Sequence, residues 1–411
     1  MAHILIVGKS FSGLKNYLID NGHSFTVLQD MRTTKFPDKK FKNRVVADFG
    51  SYENLFKSVD NIQQERPIDG LLTTYENYIL DAAHIAKHLG LPGISTEAAA
   101  ACTDKERMRN LFAISPTKIS PDFAVVTSEV DVEVFANNHQ FPLIIKPANL
   151  SKSLLVTKSS SLDELSQNYT KTIQQINAVY QKYAPGQQPK LLIEEFLEGP
   201  IFSVDAFVDA NGEPHILENV VDYQTGYDIG YDDNFHYSRL LPSRLSSDKI
   251  EAIRKTAKAG CRALGMTSSS AHIEIIYTTN GPRIVEIGAR NGGYRERMHW
   301  LANGIDITKN AIALSLNRPL DIRSLKDDPV GVFELFPKTP GIFEGLANEK
   351  ELRQLPSLHY LSIKAKPGQF VGKAGDGYKM CAVVILHNSN QQQFEKDTRY
   401  LREHVAIKVS Q

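Results

Sequence analysis

Three times within the first hundred residues a short apolar run gives way to a stretch of helical periodicity. "HILIVG" precedes "SGLKNYLIDNG", "RVVAD" precedes "SYENLFKSVDNIQQ", and "IDGLLTT" precedes "NYILDAAHIAKHLG", with a further strand-like run, "HSFTVLQD", after the first helix. Strands joined through helices lie parallel, because a crossover connection returns the chain to the same edge direction. The rhythm predicts a doubly wound parallel α/β domain over residues 1–98. "GKSFSG" after the first strand lacks the spacing of a dinucleotide or phosphate loop, so it reads as a strand-to-helix turn.

A chain of 411 residues exceeds one compact core and divides into about two or three domains. Lys plus Arg and Asp plus Glu both number 47, which leaves no basic excess for nucleic acid or an anionic membrane. The three cysteines, Cys102, Cys261 and Cys381, are widely spaced and make neither a zinc motif nor a disulfide framework. No apolar run approaches the roughly 18 residues of a membrane span. "MAHILIVGKS" lacks the basic start and long apolar stretch of a signal peptide, so a reduced, cytoplasmic setting is expected.

Beyond residue 98 the pattern changes. "LGLPGISTEAAAACTDKERMRNLF" is a loop running into helices. Strand, helix and strand follow through "PDFAVVTS", "SEVDVEVFANNH" and "FPLIIKPANLSKSLLVTKSS", then a long helix, "SLDELSQNYTKTIQQINAVYQKY". "KLLIEEFLEGPIFSVDAFVDANGEPHILENVVDY" reads as antiparallel sheet with an Asn211-Gly212 turn. Residues 224–246, "QTGYDIGYDDNFHYSRLLPSRLS", read as a long polar loop and a candidate lid. Residues 318–411 read as a smaller α+β unit.

Between these lies "AHIEIIYTTNGPRIVEIG", two β-branched runs around turn chemistry. With Asn280 at the turn, Ile276 pairs with Ile284 and Glu274 with Glu286, leaving Ile273, Ile275, Val285 and Ile287 as the core face. Opposed carboxylates would lie roughly 5 Å apart, where like charges destabilise a sheet. A divalent cation with oxygen ligands would neutralise them, and Arg290 on the same face would meet an anion. A solvated polar face in another register is the plainer reading.

Other groups suit a polyanion. Lys105 opens a predicted helix, and Lys146 ends the apolar run "FPLIIK". Ser151 and Ser153 lie in the turn that follows, where hydroxyls and N–H groups could cap phosphates. Glu194 and Glu195 end an apolar strand before Phe196 and Leu197, a mixture suited to a purine edge. Taken singly, each lysine also reads as a surface residue and each turn as plain.

In order, "TDKERMR", "IIKPANLSKS", "IEEFLEG" with "SVD" after it, "HIEI" and "VEIGARNGG" resemble the ATP-grasp carboxylate–amine ligases. The resemblance covers nearly the whole chain and is strongest to the L-amino-acid (dipeptide) ligases, carnosine-synthase-like enzymes and formate-using purine synthetases. It implies an α/β and α+β fold: an N-terminal domain over 1–98, an ATP-grasp domain of two α+β subdomains over 99–317, and a C-terminal lobe over 318–411. The smaller subdomain, about 120–198, would act as a lid. The resemblance further implies ATP as co-substrate, Mg²⁺ with Mn²⁺ as its substitute, and small-molecule carboxylate and amine substrates. It implies no nucleic acid or membrane partner, and a homodimer is a common assembly in that family.

Carried over residue by residue, Lys105 and Lys146 would hold ATP phosphates. Glu194, with the backbone of Glu195 to Leu197, would bind adenine. Glu274 and Glu286 would hold magnesium, and Arg290 would steady the transferred phosphoryl group. Gly292, Gly293 and Tyr294 would shape the substrate pocket. Outside the resemblance, Glu76 follows the strand "GLLTTY" and is expected to point into the substrate end of the site, and the 224–246 segment, with His236 and Arg239, is the candidate for lid, phosphate and substrate contacts. Three positions depart from the family pattern: Gly288 replaces an asparagine metal ligand, "NLSKSLL" lacks lid glycines, and Ile201 replaces a ribose-binding glutamate. The implied reaction is amide formation through an acyl phosphate, with release of ADP and phosphate. Other ATP-grasp chemistry, namely a purine-pathway ligase or a carboxylase, and a nucleotide-binding regulatory protein without turnover are the alternatives.

Overall fold

The computed structural model describes residues 1–9, 12–34, 42–150, 154–184 and 187–411. Its first sheet is parallel throughout. Strands β1 (His3–Val7), β2 (Ser24–Asp30), β3 (Arg44–Ala47) and β4 (Gly70–Leu72) lie in the order β3-β2-β1-β4. Both faces are covered. Leu14 and Leu18 of α1 (Ser12–Asp20), with Ile312 from a later helix, pack on Ile4, Ile6 and Val27. Leu55, Val59 and Ile62 of α2 (Tyr52–Glu65) and Ala82 and Ile85 of α3 (Ile79–Leu89) pack on Leu5, Val7 and Leu28. That is the doubly wound arrangement expected from the strand–helix rhythm. Gly8 has φ +86°, and a Cβ there would sit 2.1 Å from the Tyr78 ring, so the turn after β1 requires glycine.

Two helices, α4 (Thr96–Thr103) and α5 (Lys105–Ala113), lead to an antiparallel sheet of β5 (Phe123–Val126), β6 (Leu143–Pro147), β7 (Thr157–Ser159) and β8 (Leu191–Glu195), ordered β5-β8-β6-β7. Asp104 caps α5 by accepting from the Glu106 and Arg107 N–H groups. Helices α6 (Glu129–Asn138) and α7 (Leu162–Tyr183) cover this sheet around Leu143, Ile145 and Ile193.

The largest sheet has nine strands. Its first six are β9 (Ile201–Val208), β10 (Pro214–Ile216), β11 (Val221–Thr225), β12 (His236–Leu241), β13 (Ser269–Thr278) and β14 (Gly281–Gly288). Helix α8 (Ser247–Ala263) packs beneath β14, and α9 (Arg295–Asn303) and α10 (Ile307–Ser315) follow. β15 (Val330–Leu335) pairs with β12. After β16 (Gly341–Leu346) and the short α11 (Glu349–Leu352) come β17 (Leu358–Ile363), β18 (Phe370–Val371) and β19 (Ala382–His387). β19 and β17 extend the large sheet, with β17 at its edge. α12 (Gln391–His404) and β20 (Ile407–Ser410) end the chain, and β18-β16-β20 form a small separate sheet. The C-terminal α+β segment is therefore joined to the large sheet through β12 and β15.

Two expectations are corrected. Residues 224–246 are not a long loop: β11 and β12 pair across a 3₁₀ turn at Tyr227–Ile229 and lie mid-sheet. The polar residues that suggested a loop are those of the turn and of the strand face turned toward other charged groups. In the hairpin, Ile275 pairs with Ile284 and Ile276 with Arg283, with a bulge where the register shifts between Glu274 and Ile275. The turn is one residue tighter than expected, and the extra residue, Val285, restores the register, so Glu274 still pairs with Glu286. The core face is Ile273, Ile275, Ile284 and Ile287, all 0% exposed, and Val285 is not part of it.

Gly260 of α8 sits against that face. A Cβ there would lie 2.4 Å from Ile284 Cδ1 and 2.8 Å from Ile287 Cδ1. Gly260→Val is expected to destabilise the fold by about 1–3 kcal/mol through overpacking. The urea midpoint measures this; an unchanged midpoint would mean that the two isoleucines can rotate away.

Candidate active site

Strand pairing alone assembles the centre of the site. β9, β13 and β14 run side by side, so Ser203, Glu274 and Glu286 form one row across the sheet and Asp205, His272 and Gly288 the next. Side chains two residues apart share a face, which places three carboxylates and an imidazole on one surface. Cations gather on it from other segments. Lys105, the first residue of α5, reaches Glu286 Oε2 at 3.0 Å and donates to the Leu150 carbonyl at 3.2 Å. Its charge holds the Glu286 carboxyl below the usual range. Arg290 donates through Nε to Glu76 Oε2 at 2.6 Å. Burial raises the Glu76 carboxyl while Arg290 pulls it down. Gly288 makes room for this pair, since a Cβ would stand 3.3 Å from Glu76 Oε2.

A second cluster surrounds Glu194. Lys146 donates to its Oε2 at 2.6 Å, and Arg109 donates through Nε to Oε1 at 3.0 Å and through Nη2 to Oε2 at 3.3 Å. Burial opposes the charge on Glu194, but Arg109 and then Lys146 keep it below the usual carboxylate range. Lys146 is pushed down to about 8 by burial, which Arg109 and Lys105 reinforce and Glu194 resists. Arg109 Nη2 also donates to the carbonyl of the bulged Val285 at 2.8 Å, tying α5 and β8 to β14.

Behind Glu274 lies a third, fully buried group. Asp205 meets His272 Nδ1 at 2.8 Å, His299 Nε2 at 3.1 Å and Arg295 Nε at 3.2 Å. The other nitrogen of His272 stands 3.6 Å from Glu274 Oε1. Burial opposes charge on His272, but Asp205 overturns it and pushes the imidazole up to about 10. Glu274 is in turn held below the usual carboxyl range against burial, chiefly by His272 and His236.

The other expected residues are placed as follows. Glu195 is turned away, accepting from Lys118 Nζ at 3.1 Å and the Asp122 N–H at 2.9 Å. The carboxylates of Glu194 and Glu195 are both engaged by protein donors. The N–H groups of Glu195 and Phe196 bond to the Asp122 and Pro142 carbonyls, which leaves Leu197 N–H as the backbone donor at the strand exit. Lys158 Nζ lies 3.9 Å from the centre of the Phe196 ring. Ser151 and Ser153 lie outside the described residues. His236 and Arg239 are not on a lid but in β12. Arg239 reaches Glu334 at 3.4 Å and faces the rings of Tyr223 and Tyr294, while Tyr294 donates to Glu334 at 2.8 Å. Gly292 packs on His272, where a Cβ would be 2.4 Å from Nδ1, and Gly293 faces open space.

A cavity of about 1010 Å³ opens beside the charged face. Arg290, Gly292, Gly293 and Tyr294 line it together with Thr73, Thr74 and Tyr75, which follow the carboxyl end of β4. Ligands of parallel sheets bind at such strand ends. Lys105, Lys146, Glu274 and Glu286 are not in its lining, so the cavity and the charged face meet at Arg290.

Whether the face suits a metal follows from its donors. Glu274 and Glu286 are ionised, half-buried, and offer hard oxygen ligands from adjacent strands. Among the described residues no group of three or more His, Cys, Asp or Glu side chains could hold an ion unaided. That fits Mg²⁺, which keeps water and phosphate ligands beside one or two carboxylates, and does not fit a closed structural metal site.

Arg109, Asp205, Arg295 and His299 did not stand out from the sequence. Arg109 had one signal, its place four residues after Lys105 on the same helix face. Asp205→Asn is expected to drop the His272 pKa well below about 10, because burial then governs the ring. Removing the shared carboxylate should also cost about 3–5 kcal/mol of stability. Imidazole ¹⁵N shifts against pH measure the first effect and chemical denaturation the second.

Comparison with known proteins agrees with the geometry. Residues 21–93 match the ATP-grasp N-terminal domain and residues 139–296 the ATP-grasp domain. An uncharacterised protein, y4rH of Sinorhizobium fredii (strain NBRC 101917 / NGR234), is 22% identical over 80% of this chain and 64% of its own length. Alanine–anticapsin ligase of Bacillus subtilis (strain 168) is 24% identical over 59% of this chain and 52% of its own. The chain thus spans between about half and two thirds of these relatives. The crystal structure of L-amino acid ligase from Bacillus licheniformis superposes with a TM-score of 0.79 at 18% identity, covering 100% of this chain and 99% of that one, a likeness of fold. With both domain matches in order, and together spanning more than half of its length, the chain belongs to the ATP-grasp proteins.

Proposed function

We propose that the chain is an ATP-dependent carboxylate–amine ligase that forms an amide through an acyl phosphate, on amino-acid-like substrates. The observation that carries this reading is the facing pair Glu274 and Glu286, ringed by Lys105, Arg290 and, one cluster away, Lys146. A protein that only binds nucleotide has no need of opposed carboxylates held ionised against burial. In this reading residues 1–98 are the N-terminal domain, 99–317 the ATP-grasp domain with its smaller subdomain at about 120–198, and 318–411 the C-terminal lobe.

Phosphoryl transfer asks the protein for positioning and charge rather than a nucleophile. Glu274 and Glu286 would hold Mg²⁺, which would supply positive charge against the phosphate oxygens. Lys105 and Lys146 would exchange carboxylate partners for phosphate oxygens. A substrate carboxylate oxygen bonds to the terminal phosphorus of ATP as its bond to ADP breaks. Arg290, at the junction of cavity and charged face, would stabilise the phosphoryl group in transit. The amine then bonds to the acyl carbon, the carbon–oxygen bond to phosphate breaks, and the amine loses a proton. The relatives whose names state an activity support amide chemistry; the carboxylate and the amine used here are part of the proposal. Among the described residues no helix is long and apolar enough to cross a membrane.

The test is incubation with Mg·ATP, pooled amino acids and small carboxylates, separating ADP from AMP and weighing conjugates. ADP in step with a new amide mass is expected. AMP would overturn the acyl phosphate, and no nucleotide turnover would overturn the ligase. Glu286→Gln should lower turnover by at least about a hundredfold while the circular dichroism spectrum remains that of the folded chain. Lys146 adds a pH signature. Its free-state pKa is about 8, and a bound phosphate would raise it. ATP affinity should therefore hold below that pH and fall above it, by up to about tenfold per pH unit. Calorimetry in buffers of different ionisation enthalpy should show proton uptake on binding above pH ~8, and Lys146→Arg should abolish it.

A further inference from the structure

The cavity is larger than the charged face requires, and its far end has a distinct character. It begins at Tyr294 and runs along α9, where Arg297, Trp300 and Leu301 project at helical spacing onto one side. Opposite stands the edge of the large sheet. Tyr360 of β17 pairs with Ile385 of β19, and Val383 lies two residues before Ile385, so these three share the cavity face. Lys364 continues the same alternation beyond the end of β17. The β17–β19 register shifts between Leu358 and Tyr360, a bulge that leaves His359 as the extra residue and turns it into the cavity beside Tyr360.

Two properties of this end call for a ligand. Trp300 is 58% exposed and Tyr360 36% exposed although both line a concave wall. Large aromatic surfaces left open in a concavity favour an apolar or aromatic guest. The charge is one-sided. Arg297 lies 4.6 Å over the Tyr360 ring, and among the described residues neither it nor Lys364 is in an ion pair. His359 is held below the ordinary imidazole range by burial and then by Arg297 and His387. Glu296 is the acidic residue of the lining, and it is bonded to Thr308 on the other flank.

We propose that this end of the cavity is a subsite for the distal part of one of the joined substrates, an aromatic ring bearing an acidic group. The ring lies between Trp300 and Tyr360, and the anion meets Arg297, Lys364 and His359. The seven residue steps from Tyr294 to Leu301 rise roughly 10 Å along the helix, about the reach of an aromatic amino acid extended by an acidic substituent. The identity of the ligand as a substrate rests on the ligase reading; the subsite itself does not.

Trp300 is the chain's one tryptophan, so its fluorescence reports on this subsite alone. The full chain, with Mg²⁺ and ADP present, is titrated with 4-carboxy-L-phenylalanine, L-phenylalanine and L-alanine. A saturable change is expected with both aromatic probes, at about tenfold lower concentration for the carboxylated one, and none with alanine. Lys364→Glu should erase that preference while leaving the phenylalanine response in place. No aromatic response, an equal response to alanine, or a preference that survives Lys364→Glu would overturn the subsite. Substrate-dependent ADP release in the Mg·ATP assay, with a tryptophan silent to both aromatic probes, would leave the ligase standing without the subsite. A tryptophan response with no substrate-dependent ADP release would keep the subsite and remove the ligase.

Discussion

Two carboxylates set opposite one another on paired strands determine what must pack around them. Their separation is imposed by the hairpin register, and like charges there destabilise the sheet unless something offsets them. The offset is supplied by Lys105 from the start of α5, Arg290 from just beyond β14, and His272 from the same face of β13. Lys105 and Arg290 also make docking contacts. The Lys105 N–H bonds to the Ala148 carbonyl while its ammonium holds Leu150 O and Glu286, so the sheet of β5–β8 is seated on the large sheet at this point. Glu76 fastens the parallel sheet to Arg290 in the same way. Charge neutralisation and the mutual placement of the three sheets are one problem with one solution.

The solution is close to balanced. Glu76, Glu194, Asp205, Glu274 and Glu286 face Lys105, Arg109, Lys146, His272, Arg290 and Arg295. Such a network favours exchange over simple addition. In the proposed reading a polyanion approaching Lys105 and Lys146 would compete with Glu286 and Glu194, and an ion taken up by Glu274 and Glu286 would release Lys105 for phosphate. The desolvation cost of these groups is met on folding, so a nucleotide bound there would swap partners that are already dehydrated and oriented. Asp205 belongs to the supporting layer. It raises the His272 pKa against burial, and His272, with His236, holds the Glu274 carboxyl low against burial.

Legibility in the sequence followed the range of the interaction. The parallel sheet was readable because its signal, apolar run then amphipathic helix, repeats locally. The Glu274–Glu286 pairing was readable for a less secure reason. The turn is tighter than supposed, and the bulge at Val285 compensates, so two local misreadings cancel at the site and reappear only in the core face, where Ile284 stands in place of Val285. Residues 224–246 misled because strand polarity was judged against water. The polar side of β12 faces buried charge: Arg239 lies between two tyrosines and Glu334. Arg109 and Asp205 were illegible because their roles come from partners that no pattern brings near, 85 residues away for Glu194 and 67 for His272.

The cavity and the charged face meet along Arg290 and Gly292, and the division between them bears on how such a chain can change its chemistry. The charged face is built from strand register and buried ion pairs, where altering one partner strands another in low dielectric. The cavity wall comes from the strand end of the parallel sheet, one side of α9 and the bulged edge of β17, and its side chains are half-open and weakly tied to one another. Substitutions there alter shape and charge at little cost to the fold. Fold likeness at a TM-score of 0.79 with only 18% identity is what this division would produce. In the proposed reading the reaction would reside where strand register and buried ion pairs fix the face, and the choice of substrate on an edge strand whose bulge at His359 turns that residue and Tyr360 to the cavity.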